Sequence, residues 1–157
     1  MKSKSLVVYL SISGNTRTVA EHLEKLAQAD LEELKPKKLY PTAYRPLVDA
    51  VKADLVNGVL PELEPIQADL WEYDTIFLGS PNWCHTLAAP VEAFLREHDL
   101  SGKRIAPFFT HAGGGKDNAE RDLTRLCPDA DCKPMLVIYQ NGGEELDIQL
   151  QHWLEQI

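Results

Sequence analysis

Leu6-Val7-Val8-Tyr9-Leu10-Ser11-Ile12-Ser13-Gly14-Asn15-Thr16 decides how the chain is read: five apolar residues, then hydroxyls, a glycine and an amide. A short unbroken apolar run bounded by turn residues is how a strand buried on both faces is written. Beyond it Val19, Leu23, Leu26 and Ala27 recur at helical intervals, leaving Glu21, His22, Glu24 and Lys25 for solvent. Strand, polar turn and helix make the repeating unit of a parallel sheet wrapped by helices.

The remaining sequence repeats that unit. A weaker strand over Leu31–Leu34 contains Glu32 and Glu33 and belongs near a sheet edge. Tyr40-Pro41-Thr42-Ala43-Tyr44 is a turn opening a helix through Leu47, Val51 and Leu55, which Asn57-Gly58 stops. Residues 58–70, with Pro61 and Pro65, read as an irregular connection. Thr75–Leu78 is the clearest central strand and Gly79-Ser80-Pro81 ends it; Val91, Phe94 and Leu95 mark the helix that follows. Arg104–Thr110 gives a fourth strand, Ala119–Leu126 a fourth helix and Met135–Tyr139 a fifth strand. Leu146, Leu150, Trp153, Leu154 and Ile157 form the stripe of a last helix. The expectation is one α/β domain over 1–157, five parallel strands with helices on both faces, and ligands beyond the carboxyl ends of the strands.

The length of 157 residues suits one domain. Sixteen Lys+Arg against twenty-four Asp+Glu give a net charge of −8, which repels nucleic acid and anionic membranes and suits basic protein partners. The densest basic run, Lys35-Pro36-Lys37-Lys38, reads as a solvated strand end. Met1-Lys2-Ser3-Lys4 imitates the charged start of a signal peptide, but the apolar run after it is too short and lacks a cleavage site. No stretch approaches the roughly 20 apolar residues of a membrane span, so a cytoplasmic location is expected. Cys84, Cys127 and Cys132 make no disulfide framework; Cys127 reads as a thiol at a helix end and Cys132 as one opening a strand.

Polar and glycine-rich residues gather after strands one, three and four, on one edge of the sheet. In Ser11–Arg17 the hydroxyls and a helix start can hold a phosphate dianion, although the loop is neither Gly-x4-Gly-Lys-Ser/Thr nor Gly-x-Gly-x-x-Gly. Capping of the helix by Ser13 or Asn15 is the competing explanation. Ser80-Pro81-Asn82-Trp83-Cys84-His85-Thr86 offers an indole that could stack on a flat ligand. Thr110-His111-Ala112-Gly113-Gly114-Gly115 lets backbone approach a ligand closely. Together the three loops suggest a mononucleotide with a planar ring. A thiol phosphatase would need Cys-x5-Arg, and none of the cysteines has it; the five histidines show no metal-ligand spacing.

Ser-x-Ser-Gly-Asn-Thr, Tyr-Asp-Thr-Ile-Phe-Leu-Gly-Ser-Pro-Asn-Trp and Thr-His-Ala-Gly-Gly-Gly, in that order, resemble the short-chain flavodoxins, as do the Tyr40-Pro41 segment and Pro90–Leu95. The resemblance implies a three-layer sandwich of strand order 2-1-3-4-5 and non-covalent FMN. It places Ser11, Ser13, Gly14, Asn15 and Thr16 at the phosphate, with Arg17 adding positive charge. Pro81, Asn82, Trp83, Cys84, His85 and Thr86 would border ribityl and ring, and Thr110, His111, Gly113 and Gly114 the far side of the ring.

The function so implied is a monomeric electron carrier, passing low-potential electrons between a reductase and an acceptor enzyme. Cys84-His85 departs from the Trp-Gly that such proteins often carry there. A glycine can flip its peptide to support the half-reduced ring, and His85 brings that flip into question. Two-electron chemistry does not need the flip, so an FMN-dependent NAD(P)H quinone or nitro reductase is the other reading.

Overall fold

The computed structural model describes residues 4–157, so Met1–Ser3 of the charged start lie outside the described residues. The chain order is β1 (Ser5–Tyr9), α1 (Asn15–Ala27), β2 (Asp30–Glu33), α2 (Tyr44–Asn57), β3 (Thr75–Trp83), β4 (Thr86–Leu87), α3 (Ala89–Glu97), β5 (Arg104–His111), α4 (Ala119–Leu126), β6 (Asp131–Cys132), β7 (Leu136–Tyr139) and α5 (Leu146–Gln156). The sheet runs β2-β1-β3-β5, with β6 and β7 both pairing the far side of β5 in parallel. This is the expected order 2-1-3-4-5 with its last strand in two pieces.

The break has a local cause. Lys133-Pro134-Met135 separates the pieces, and Pro134 has no N–H to give a ladder. The freed groups find side chains instead. The Met135 N–H donates to Glu120 Oε2 at 3.0 Å, and the Pro134 carbonyl accepts from Trp153 Nε1 at 2.9 Å. The buried Trp153 indole thus anchors α5 to the broken strand. We expect Trp153→Phe to cost about 1 kcal/mol, read by urea unfolding, because the Pro134 carbonyl loses its indole donor.

Two apolar layers cover the faces of the sheet. Val7, Tyr9, Phe77, Phe108 and Ile138 pack under α1 and α5 through Val19, Leu23 and Leu150. Leu6, Val8, Leu10, Leu78 and Phe109 pack on the other face under α2, α3 and α4 through Val51, Phe94 and Leu123. β2 is an edge strand, as its glutamates foretold. Residues 58–70 are mostly irregular, tied to the chain after β2 by a Pro36–Leu63 bridge. Cys127 follows α4 and Cys132 lies in β6, both unpaired, and burial pushes the Cys127 thiol up to about 11. No helix among the described residues is long and apolar enough to cross a membrane.

Two sequence expectations need correction. β3 does not stop at Leu78 but runs to Trp83, carrying Gly79, Ser80 and Pro81 as strand residues. Residues 80–86 are then no open loop but the first strand and turn of a hairpin, with Asn82 opposite Leu87 and Trp83 opposite Thr86. The buried Ser80 hydroxyl ties its base by accepting the Ala88 N–H at 2.8 Å.

Candidate functional site

β1, β3 and β5 deliver their carboxyl ends to one edge of the sheet, and there they meet the N-terminal half of α2. The cavity between them measures about 600 Å³, within the range of small-molecule and cofactor sites.

Its first corner is the turn from β1 into α1. Gly14 stands before α1 at φ 100°, a left-handed value that glycine reaches without strain. The Gly14 N–H donates to Ser11 Oγ at 3.1 Å, so Ser11 folds the turn from behind. No side chain caps α1 and its first turn holds no acid, which sets aside capping by Ser13 or Asn15. A helix start of this kind presents free N–H groups and about half a positive charge to an anion. Ser13, Asn15 and Thr16 line the cavity. The buried Thr16 hydroxyl bonds the Thr110 hydroxyl at 2.7 Å, joining the first corner to the end of β5. Arg17 takes no part, because its guanidinium is paired with Glu33 and bonded to Tyr9.

The second wall is the β3–β4 hairpin. Its two-residue turn is Cys84-His85, at φ 49° and 75°, the pair of positive values that a type I′ turn demands. Such turns favour Asn-Gly, so something must hold two side-chain-bearing residues there. The contacts are visible. The His85 N–H donates to Asn82 Oδ1 at 3.0 Å, and the His85 carbonyl accepts the Asn118 N–H at 3.0 Å. Asp117 Oδ2 accepts from Asn82 Nδ2 at 2.9 Å and from His85 Nδ1 at 3.2 Å. Thr86 does not face the cavity; its hydroxyl turns to Asp122 on α4. Trp83 lines the cavity but is buried, with Tyr40 packed on it at 4.9 Å between ring centroids.

The third wall is Thr110–Gly114. His111 Nδ1 accepts N–H groups from Gly113 at 3.0 Å and Gly115 at 3.1 Å, which leaves the neutral ring's proton on Nε2. At Gly114 a Cβ would come within 2.9 Å of Asp117 Oδ2 and 3.1 Å of Asn82 Nδ2, so the glycine makes room for the latch on the hairpin.

Pro81, Asn82, Trp83, Cys84, His85, Thr110, His111, Gly113 and Gly114 therefore meet Ser13, Asn15 and Thr16 around one cavity, while Ser11, Gly14 and Thr86 support it from outside. Two contributors lie outside the three loops. Tyr44, Leu47, Val48 and Lys52 make α2 a wall, and Asp117 closes the rim.

Hydrogen bonds from Asn82 first and then His85 hold the Asp117 carboxyl below its ordinary range. A group lowered in the folded state adds stability above its unfolded pKa and loses it as pH falls through the folded value. The latch is therefore expected to release in acid below the ordinary carboxylate range. NMR of the Asn82 side-chain amide should titrate there, and in Asp117→Asn its shift should be flat through the same range.

The arrangement offers phosphate donors at one corner and two walls suited to a flat ring, a donor set that fits FMN. Chains of known kind share the architecture. A protein from Bacteroides eggerthii DSM 20697 superposes with a TM-score of 0.83 at 26% identity, covering 98% of this chain and 97% of its own. A Lactobacillus acidophilus NCFM flavoprotein solved in complex with FMN gives 0.77 at 22%, covering 98% and 99%. The flavodoxin of Maridesulfovibrio salexigens is 26% identical over 136 residues, 79% of this chain and 78% of its own. The family model described as flavodoxin matches residues 4–157, and the chain belongs to that family, whose cofactor is FMN.

Proposed function

We propose that the cavity holds FMN and that the chain carries electrons between redox partner proteins. The observation that carries this reading is the uncapped start of α1, opening with Ser13 and Thr16 into a cavity walled by the hairpin and by Thr110–Gly114. When bound, FMN supplies the redox chemistry, and the protein sets its orientation and electrostatics. Ser13 and the first N–H groups of α1 would take the phosphate. Trp83, His85, His111 and the glycines would border the ring. Asp117, kept ionised at the rim, opposes the arrival of electrons and supports a low potential. We expect the FMN-loaded protein to titrate at a lower potential than its Asp117→Asn variant; equal potentials would remove Asp117 from this role.

One observation favours the second reading, a two-electron FMN-dependent reductase acting on NAD(P)H. A flip of the Cys84–His85 peptide would convert the type I′ turn to type II′. That returns His85 to negative φ and leaves Cys84 in the first central position of a type II′ turn, where glycine is the residue of choice. The obstacle is thus Cys84, not His85 as the sequence suggested. The flip would also break the bond from the His85 N–H to Asn82. Anaerobic photoreduction followed by EPR separates the readings. Accumulation of half-reduced flavin, without bleaching by NAD(P)H, supports the carrier; direct bleaching without it supports the reductase. In the second case Cys84→Gly should raise the half-reduced fraction severalfold.

A further inference from the structure

The charge of the chain is not evenly spread. Residues 35–57, which lead into and form α2, hold five cations, Lys35, Lys37, Lys38, Arg45 and Lys52, against two carboxylates, Asp49 and Asp54. Everywhere else eleven cations face twenty-two carboxylates. Lys37 and Lys38 are paired with Glu62 and Asp54, whereas Lys35, Arg45 and Lys52 are exposed and make no ion pair among the described residues.

The same helix carries apolar groups outward. At 100° per residue Tyr44, Val48, Lys52, Arg45, Leu55 and Val56 share one face of α2, while Val51 and Leu47 turn toward the core. Tyr44 is 79% exposed, Leu55 58% and Val56 86%. Leu39, just ahead of the helix, is 96% exposed. Isolated exposed apolar residues need no explanation, but tyrosine, arginine and aliphatic residues along one helix face are the composition of interface centres. This face borders the cavity through Tyr44, Val48 and Lys52.

We propose that the outer face of α2 docks a redox partner whose contact surface is acidic around an apolar centre, the reverse of what the net charge of −8 suggests. Local charge governs a docked complex more than net charge, because at physiological salt charges more than about 8 Å apart are largely screened. A partner seated here stands at the mouth of the cavity. The apolar residues favour a protein over a small anion, which would use the cations alone. The purpose of the site rests on the electron-carrier reading, but the contact itself does not require flavin.

The test is amide NMR of the ¹⁵N-labelled, FMN-loaded chain titrated with an acidic cytochrome b5 and, separately, with basic cytochrome c. The expected result is shifts confined to residues 35–57 with cytochrome b5, weakening as salt is raised. Binding should fall about fivefold in Arg45→Glu and also weaken in Val56→Asp, neither of which lines the cavity. The proposal is overturned by shifts elsewhere on the chain, by a preference of this face for cytochrome c, by unchanged binding in both variants, or by self-association through α2. A chain that takes up no FMN yet binds cytochrome b5 at α2 would sink the electron-carrier reading and leave the docking face standing.

Discussion

Gly79→Val should abolish folding, and Gly79→Ala should lower stability by about 3 kcal/mol, or about 6–12 °C in Tm for a chain of this size. Gly79 sits in the middle of β3, opposite Tyr9 on one side and Phe108 on the other. A Cβ built on it would lie 2.2 Å from Phe108 Cζ and 2.4 Å from Cε2. The Phe108 ring cannot yield, being 1% exposed among Val7, Phe77 and Ile138 under α1 and α5. The glycine is therefore the missing half of a packing pair: β3 gives up a side chain so that β5 can place a phenyl ring across it. If that is the cause, Phe108→Leu should recover part of the loss in the Gly79→Ala background although it costs stability alone. Urea unfolding of the four proteins in a double-mutant cycle measures the coupling. Additive effects would mean that the strand backbone, not the ring, needs the glycine.

The same glycine shows where the sequence was legible and where it was not. Leu6–Leu10, Thr75–Leu78 and the stripe Leu146–Ile157 were readable because each obeys one period over its whole length, and each took its expected place. Gly79-Ser80-Pro81 looked like the end of a strand because glycine and proline usually punctuate. Here the last β1 pairing is Tyr9 with Gly79, so Pro81 has a free flank on that side, where a missing N–H breaks no ladder. The hairpin was hidden for a related reason. Its turn is Cys84-His85, with none of the glycine or asparagine that marks such turns, and what holds it is Asp117, remote in sequence. The division of the fifth strand depended on Pro134, visible, and on Trp153 reaching its carbonyl, not visible. Most residues of the three loops could be placed at the site because backbone topology alone sends those strand ends to one edge. The α2 wall escaped because a residue lining an open cavity, such as Tyr44 or Lys52, has the same polarity pattern as one facing solvent.

Ser13→Asp should weaken FMN binding about 100-fold, equivalent to about 3 kcal/mol, while riboflavin binding stays within about twofold of the parent. The α1 start offers N–H groups that no side chain of the chain occupies, next to a Gly14 backbone that only glycine holds without strain. A carboxylate at position 13 would compete for those donors and repel a phosphate dianion. It would not endanger the fold, since an acid near a helix N-terminus stabilises the helix. Riboflavin carries the same ring without the phosphate, so comparing the two ligands by fluorescence quenching separates the two ends of the cavity. Equal weakening of both would place residue 13 against the ring and move the phosphate elsewhere. Unchanged FMN binding would mean that the start of α1 is not the anion site. Thr16→Val supplies the converse case. It removes a hydroxyl and strands its Thr110 partner, so it should cost FMN affinity about tenfold and stability about 1 kcal/mol together. A loss of FMN affinity in Ser13→Asp with no loss of stability, set beside the joint loss in Thr16→Val, distinguishes a repelled phosphate from a damaged corner.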